Sequence, residues 1–84
     1  MWLSDIKERI LDTLIEEPLD QFQIAAELAE AAFRVRAELH DLRRDRLVRE
    51  EWHRGALKWK LTDRAYSYLE QKNQTTLDEL LRER

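Results

Sequence analysis

The stretch Ile24-Ala25-Ala26-Glu27-Leu28-Ala29-Glu30-Ala31-Ala32-Phe33-Arg34-Val35 decides the fold of this chain, because it reads in two ways. Ile24 and Leu28 have helical spacing, and so do Val35, Leu39 and Leu42, so both flanks are helical. Between Gln21 and Arg46 there is no glycine and no proline, and no capping residue opens a new helix at Glu30-Ala31-Ala32. Positions 24, 28, 31, 35, 39 and 42 keep helical phase throughout, so one continuous helix over residues 21–46 is one reading. It would be about 39 Å long at 1.5 Å per residue. Two helices separated by a turn near Ala29 is the other.

The flanks favour the second. Upstream, Leu3, Ile6, Ile10, Leu11, Leu14 and Ile15 make one apolar face of a helix that begins near Ser4 or Asp5. Pro18 stops that helix, because the residue before proline is pushed out of helical geometry. Asp20 then caps the next one. Downstream, Leu47–His53 and Leu57–Leu61 are short β-prone runs joined by Arg54-Gly55, where glycine supplies the positive φ of a tight hairpin. A two-residue turn sets Trp52 opposite Leu57. It also puts Trp52, Leu57, Trp59 and Leu61 on one face, with Lys58 and Lys60 on the other. Thr62 caps a further helix whose inner residues are Ala65, Tyr66, Leu69 and Tyr68. A polar break from Gln71 to Thr75 precedes a separate last segment. There Thr76 and Glu79 have capping-box spacing and Leu77, Leu80 and Leu81 form a stripe.

Helix, helix, helix, two-stranded hairpin, helix is the order of a winged helix-turn-helix, and particular residues carry the resemblance. Ile24-Ala25-Ala26-Glu27-Leu28, then Val35, Leu39, Leu42 and Leu47-Val48, resembles the hydrophobic spacing of bacterial and archaeal winged-helix transcriptional regulators of the PadR-like or MarR-like type. Trp59-Lys60-Leu61-Thr62-Asp63-Arg64-Ala65 looks like the strand-to-helix junction of that superfamily, and Glu17-Pro18-Leu19 resembles its PadR-like branch. The expected fold is therefore mainly α with a small hairpin: a three-helix core, a two-stranded wing and a C-terminal helix. Residues 1–84 form a single domain, with a core of about 4–72 and a C-terminal extension over 73–84. The resemblance implies double-stranded DNA as the partner and transcription regulation as the role. Ala29 and Glu30-Ala31-Ala32 depart from the family, which has glycine in that turn and Ser or Thr at the start of the third helix.

Composition excludes several other classes. The formal net charge of −3 conceals an asymmetry. Residues 1–30 hold two basic and eight acidic side chains, whereas residues 31–64 hold ten basic and six acidic. A basic centre in an acidic chain suits a polyanion-binding face on a solvated body. There is no cysteine, so neither a disulfide nor a thiolate site is expected. His40 and His53 lack metal-ligand spacing, Gly55 is the only glycine, and Ser4 and Ser67 have no nucleophile-like context. No enzyme, metal or cofactor is expected. The start of the chain turns charged at once and no stretch approaches the roughly 18 apolar residues of a membrane span, so the expectation is a soluble cytoplasmic protein.

The candidate DNA contacts follow from the helical wheel and the hairpin. With Val35, Leu39 and Leu42 as the buried stripe of a helix over residues 31–46, Phe33, Ala37, His40 and Arg44 lie opposite, Arg36 and Asp41 flank them, and Arg34 and Arg43 lie nearer the edges. Arginine suits both phosphates and guanine edges in the major groove. Asp41 and Asp45 alternate with these cations, so a merely solvated face is the competing reading. His53, Arg54, Lys58 and Lys60 cluster at the wing, where they either grip the backbone or protect an edge strand. Phe33 is placed first with the core, then with a thymine methyl or a protein partner. Trp52, Trp59, Tyr66 and Tyr68 are placed in the core. Trp2, Leu3, Leu77, Leu80 and Leu81 are spare apolar surface, expected to form a homodimer contact. A protein-interaction module within a larger complex is the rival function.

Overall fold

Ala29 divides residues 21–46 into two helices. The computed structural model describes the backbone of residues 3–82 and the side chains of residues 3–72. In it α1 spans Asp5–Leu14, α2 Gln21–Leu28, α3 Ala32–Arg44, β1 Val48–His53, β2 Ala56–Leu61 and α4 Asp63–Arg82. Ala29 takes left-handed backbone angles, φ 54° and ψ 41°. Its N–H donates to the Ala26 carbonyl and that of Glu30 to the Ala25 carbonyl, which satisfies the last carbonyls of α2. The side chain of Arg9, in α1, donates to the Leu28 carbonyl at 2.9 Å and lies 3.8 Å from Glu30. An alanine in this conformation costs about 1–2 kcal/mol relative to ordinary helical geometry. The bonds at the turn and the burial of both apolar stripes outweigh that cost.

Asp20 caps α2 as its position suggests, accepting from the Gln23 N–H at 2.8 Å while the Gln23 side chain accepts from the Asp20 N–H at 3.0 Å. The hairpin has the register that a two-residue turn imposes, with Val48 opposite Leu61, Glu50 opposite Trp59 and Trp52 opposite Leu57. Arg54 and Gly55 both have positive φ, 54° and 81°. Leu19 adds a bridge to the free edge of β2, exchanging hydrogen bonds with Trp59 at 3.2 and 2.7 Å. A third left-handed residue, Arg46 at φ 62°, closes the end of α3 before β1. Thr62 opens α4: its hydroxyl accepts from the Ala65 N–H and donates to the Arg46 carbonyl at 2.6 Å.

The core is a single cluster in which Ile10, Leu11, Ile24, Val35, Leu39 and Leu42 meet Leu47, Val48, Trp59, Leu61, Ala65 and Leu69. Polar contacts fasten α1 across it. Glu8 accepts from the Tyr68 hydroxyl at 2.8 Å and from Lys72, and the Tyr68 oxygen accepts from the Leu3 N–H at 3.0 Å. The Lys72 hydrogen bond holds the Glu8 carboxyl below its usual range, and Glu8 in turn raises Lys72. Burial pushes the Tyr68 hydroxyl up.

Four expectations need correction. Residues 63–82 form one helix rather than two segments, because Gln71 to Thr75 contains no glycine or proline and polar residues disfavour a helix by only tenths of a kcal/mol each. Ile15 is 47% exposed, since α1 ends at Leu14 and the apolar face does not continue. Trp52 and Tyr66, expected in the core, are 72% and 46% exposed. Phe33, placed first with the core, is 80% exposed, because it follows directly on the first residue of α3 on the side away from Val35, Leu39 and Leu42. Among the described residues no helix is long and apolar enough to cross a membrane.

Candidate nucleic-acid interface

α3 buries Val35, Leu39 and Leu42 and leaves Phe33, Arg34, Arg36, Ala37 and Arg44 at the surface. The cations on it are mostly held by carboxylates. Arg34 lies 3.7 Å from Glu30, Arg44 lies 3.7 Å from Asp41, and Arg43 donates to Glu50 of β1 at 2.5 Å. Among the described residues, Arg36 is the cation of this helix that has no carboxylate partner.

His40 is placed differently from the other wheel positions. It is half-buried, its ring edge-on to Trp59 with centroids 6.1 Å apart, and its Nδ1 is 3.1 Å from an Arg43 nitrogen. The Arg43 guanidinium carbon sits 5.8 Å from the centroid of the Trp59 ring. His40, Arg43, Glu50 and Trp59 thus brace α3 against the base of the hairpin. The wheel alone put His40 on the free side because it carries no information about what packs beside the helix.

The hairpin has two faces. Val48, Glu50, Trp52, Leu57, Trp59 and Leu61 share one, and Arg49, Glu51, His53, Ala56, Lys58 and Lys60 the other. On the second face Glu51 lies 3.3 Å from Lys60 and 3.9 Å from Arg49. Arg54 at the turn and Lys58 near it have no ion-pair partner among the described residues. His53 is exposed beside them. The tip therefore presents uncompensated positive charge, whereas the α3 surface presents much less.

Between the start of α2, α3 and the hairpin runs an open groove of about 530 Å³, lined by Asp20, Gln21, Phe22, Arg36, His40, Glu50, Leu57 and Trp59. Phe22, 67% exposed, and Leu57, 45% exposed, make its rim apolar. A second concavity of about 600 Å³ lies against the other face of the hairpin, where Arg46, Arg49, Lys60 and Arg64 meet Tyr66 near the start of α4. The hairpin register could have revealed the pairing of Arg49 with Lys60 in advance, since the two stand opposite each other. The exposure of Phe22 had no sequence signal. Among the described residues no group of three His or carboxylate side chains is placed to hold a metal ion. Leu3 is half-buried against the core, while Trp2 and the side chains of Leu77, Leu80 and Leu81 lie outside the described residues.

Comparison with solved structures places this arrangement. ZitR from Lactococcus lactis superposes with a TM-score of 0.69 at 26% identity, covering 95% of this chain and 59% of that one. A MarR family protein from Bacillus stearothermophilus superposes with a TM-score of 0.80 at 18% identity, over 96% of this chain and 61% of that one. The chain has the winged helix-turn-helix fold. The homodimeric winged helix-turn-helix DNA-binding domain of Mb0332 from Mycobacterium bovis is similar too, with a TM-score of 0.72, 20% identity, and 94% and 73% of the two chains covered. The chain spans about three-fifths of the length of the ZitR and Bacillus stearothermophilus proteins. No family model matches it, and no curated protein does either. In winged-helix terms α2 and α3 are the helix-turn-helix and β1–β2 the wing.

Proposed function

We propose that this protein binds double-stranded DNA and regulates transcription as a homodimer, without a catalytic step. α3 enters the major groove, presenting Arg36 with Phe33 and Ala37, and the wing holds the backbone with Arg54 and Lys58. His53 and the ion-paired Arg34, Arg44 and Lys60 flank these contacts and add less. The observation that carries this reading is the set of unpaired cations, Arg36 on α3 with Arg54 and Lys58 on the wing, in a chain whose other cations mostly have carboxylate partners. Cations left without carboxylates on a winged-helix frame are disposed to meet phosphates. His40 acts here as a brace that sets the angle between α3 and the wing. A two-fold dimer supplies a second half-site, since one winged helix reads few base pairs. Leu3 and the leucines at 77, 80 and 81, with Trp2, are the proposed contact, and sedimentation at micromolar concentration tests the stoichiometry.

Binding to random duplex DNA tests the reading. A dissociation constant of about micromolar at 50 mM salt, weakening steeply by 200 mM, is expected. No binding at low salt overturns it. A second reading, a protein-interaction module on the same fold, is favoured by Phe22 and Phe33 at the surface and by Asp20 and Glu50 in the groove. A protein partner whose affinity depends on Phe33 and hardly on salt would establish that alternative.

A further inference from the structure

Two large apolar side chains at the end of the wing lie uncovered. Trp52 and Leu57 face each other across the strands, one pair in from His53 and Ala56 and the Arg54-Gly55 turn. They are 72% and 45% exposed, although they share a face with Val48, Trp59 and Leu61, which are buried. The alternation that fills the core at the base of the hairpin thus continues past the edge of the body. Trp52 lies two residues beyond Glu50, the partner of buried Trp59, and so about 7 Å farther out at 3.3–3.4 Å per residue.

The charges around the pair select its occupant. Arg54, at the turn, and Lys58, on the opposite face of the hairpin with His53, have no ion-pair partner among the described residues. The nearby carboxylates are occupied, Glu50 by Arg43 and Glu51 by Lys60 and Arg49. An apolar partner surface would leave these cations uncompensated. A DNA minor groove offers both things the tip lacks: two rows of phosphates at its rims and, between them, base edges and stacked rings. That groove is about 6 Å wide in B-DNA. Strands about 4.8 Å apart, with an indole and an isobutyl group standing on one face, fit only if the groove opens. Minor-groove proteins with apolar wedges open it by partly unstacking a base step.

We propose that Trp52 and Leu57 form an apolar wedge that enters the minor groove beside the α3 site and partly unstacks one base step. The proposal rests on the DNA-binding reading above and adds a specificity to it. Unstacking is easiest at TA and CA/TG steps and hardest in A-tracts, so the protein discriminates between sequences its wing reads only through deformability. The bound duplex is kinked by roughly 20–90° toward the major groove.

The test uses the whole chain and duplexes of about 25 base pairs, long enough for two half-sites one helical turn apart. One set carries TA steps with 2-aminopurine beside them, and the other is built on A-tracts. The expected result is tighter binding to the TA set by about tenfold, the range of one unfavourable base step. A rise in 2-aminopurine emission should accompany binding. The double variant Trp52→Ala/Leu57→Ala, whose thermal melt is unchanged because both side chains are exposed, should still bind in a salt-dependent way but lose the preference and the emission change. Salt-dependent binding by the parent protein with no emission change and no sequence preference overturns the wedge and leaves the DNA-binding reading intact. A parent protein that self-associates through the tip, with the double variant monomeric, also overturns it. Failure of every duplex to bind at low salt overturns both.

Discussion

The two ends of the hairpin are built from the same alternation and meet opposite fates. At the base, Val48, Trp59 and Leu61 are buried, and Arg43 joins α3 to β1 by reaching Glu50 beneath the Trp59 ring. At the tip, Trp52 and Leu57 occupy equivalent alternate positions and are exposed, and Arg54 and Lys58 lack carboxylates. An alternating pattern dictates which face a residue occupies, while the extent of the body beneath the sheet dictates whether that face is covered. The base contributes stability and the tip contributes recognition.

The strongest way to break this contrast is to remove one tryptophan at a time. Trp59→Ala should cost about 3–5 kcal/mol, enough to unfold most of so small a domain. Trp52→Ala should change stability by no more than about 0.5 kcal/mol, as surface substitutions do. Thermal denaturation followed by circular dichroism distinguishes them, since about 1 kcal/mol shifts the midpoint by 4–8 °C at this size. Equal losses would remove the distinction between base and tip.

A weaker effect separates backbone strain from function. Ala29 in the body and Arg54 at the tip both hold left-handed backbone angles that glycine adopts without steric cost. Ala29→Gly and Arg54→Gly should each raise stability by about 0.5–1 kcal/mol, less any gain in unfolded-chain entropy. Only Arg54→Gly should weaken DNA binding. A fall in stability for Ala29→Gly would mean that the strain relieved is smaller than the unfolded-chain entropy gained.

These positions also explain how far the sequence could be read. The hairpin register was legible because Arg54-Gly55 specifies a two-residue turn and everything on the strands follows from it. The α2–α3 turn was not decided locally. Ala29 has no intrinsic preference for left-handed geometry, and Arg9, far upstream in α1, helps to hold it in place through Leu28 and Glu30. The continuity of α4 was missed because weakly helical polar residues were given the force of a break. On α3 the periodicity identified the buried stripe correctly, but the carboxylate partners of Arg34, Arg43 and Arg44 decide which cations are free, and Glu50 reaches Arg43 only in three dimensions. Arg36, Arg54 and Lys58 are what remains of the longer set of cationic candidates once those pairs are formed.

Acid should produce the smallest separation between body and tip. The Glu8–Lys72 contact joins α1 to α4, and the folded state holds the Glu8 pKa below its ordinary value. Its stabilisation is therefore full above the ordinary carboxylate range and disappears as pH falls through the folded value. Lys72 is raised, so its share is complete below the ordinary lysine value and is lost as pH rises through the folded one. Glu8→Gln should cost about 0.5–1 kcal/mol near pH 7, and the difference from the parent should shrink toward zero as pH falls through the lowered folded value of Glu8. A deficit that is independent of pH would assign the loss to packing instead.

The most direct test of the central claim is the salt dependence of binding to random duplex DNA, measured for two triple variants. Arg36→Ala/Arg54→Ala/Lys58→Ala removes the unpaired cations of α3 and the wing, and Arg34→Ala/Arg44→Ala/Lys60→Ala removes an equal number of paired ones. The account predicts that the first flattens the log-log slope by about 0.9 for each phosphate no longer neutralised, approaching 3 in all, and weakens binding on every sequence. The second should change the slope by less than about 1, because those cations already have carboxylate partners. Equal slopes for the two variants, or a parent protein that fails to bind at 50 mM salt, would contradict it.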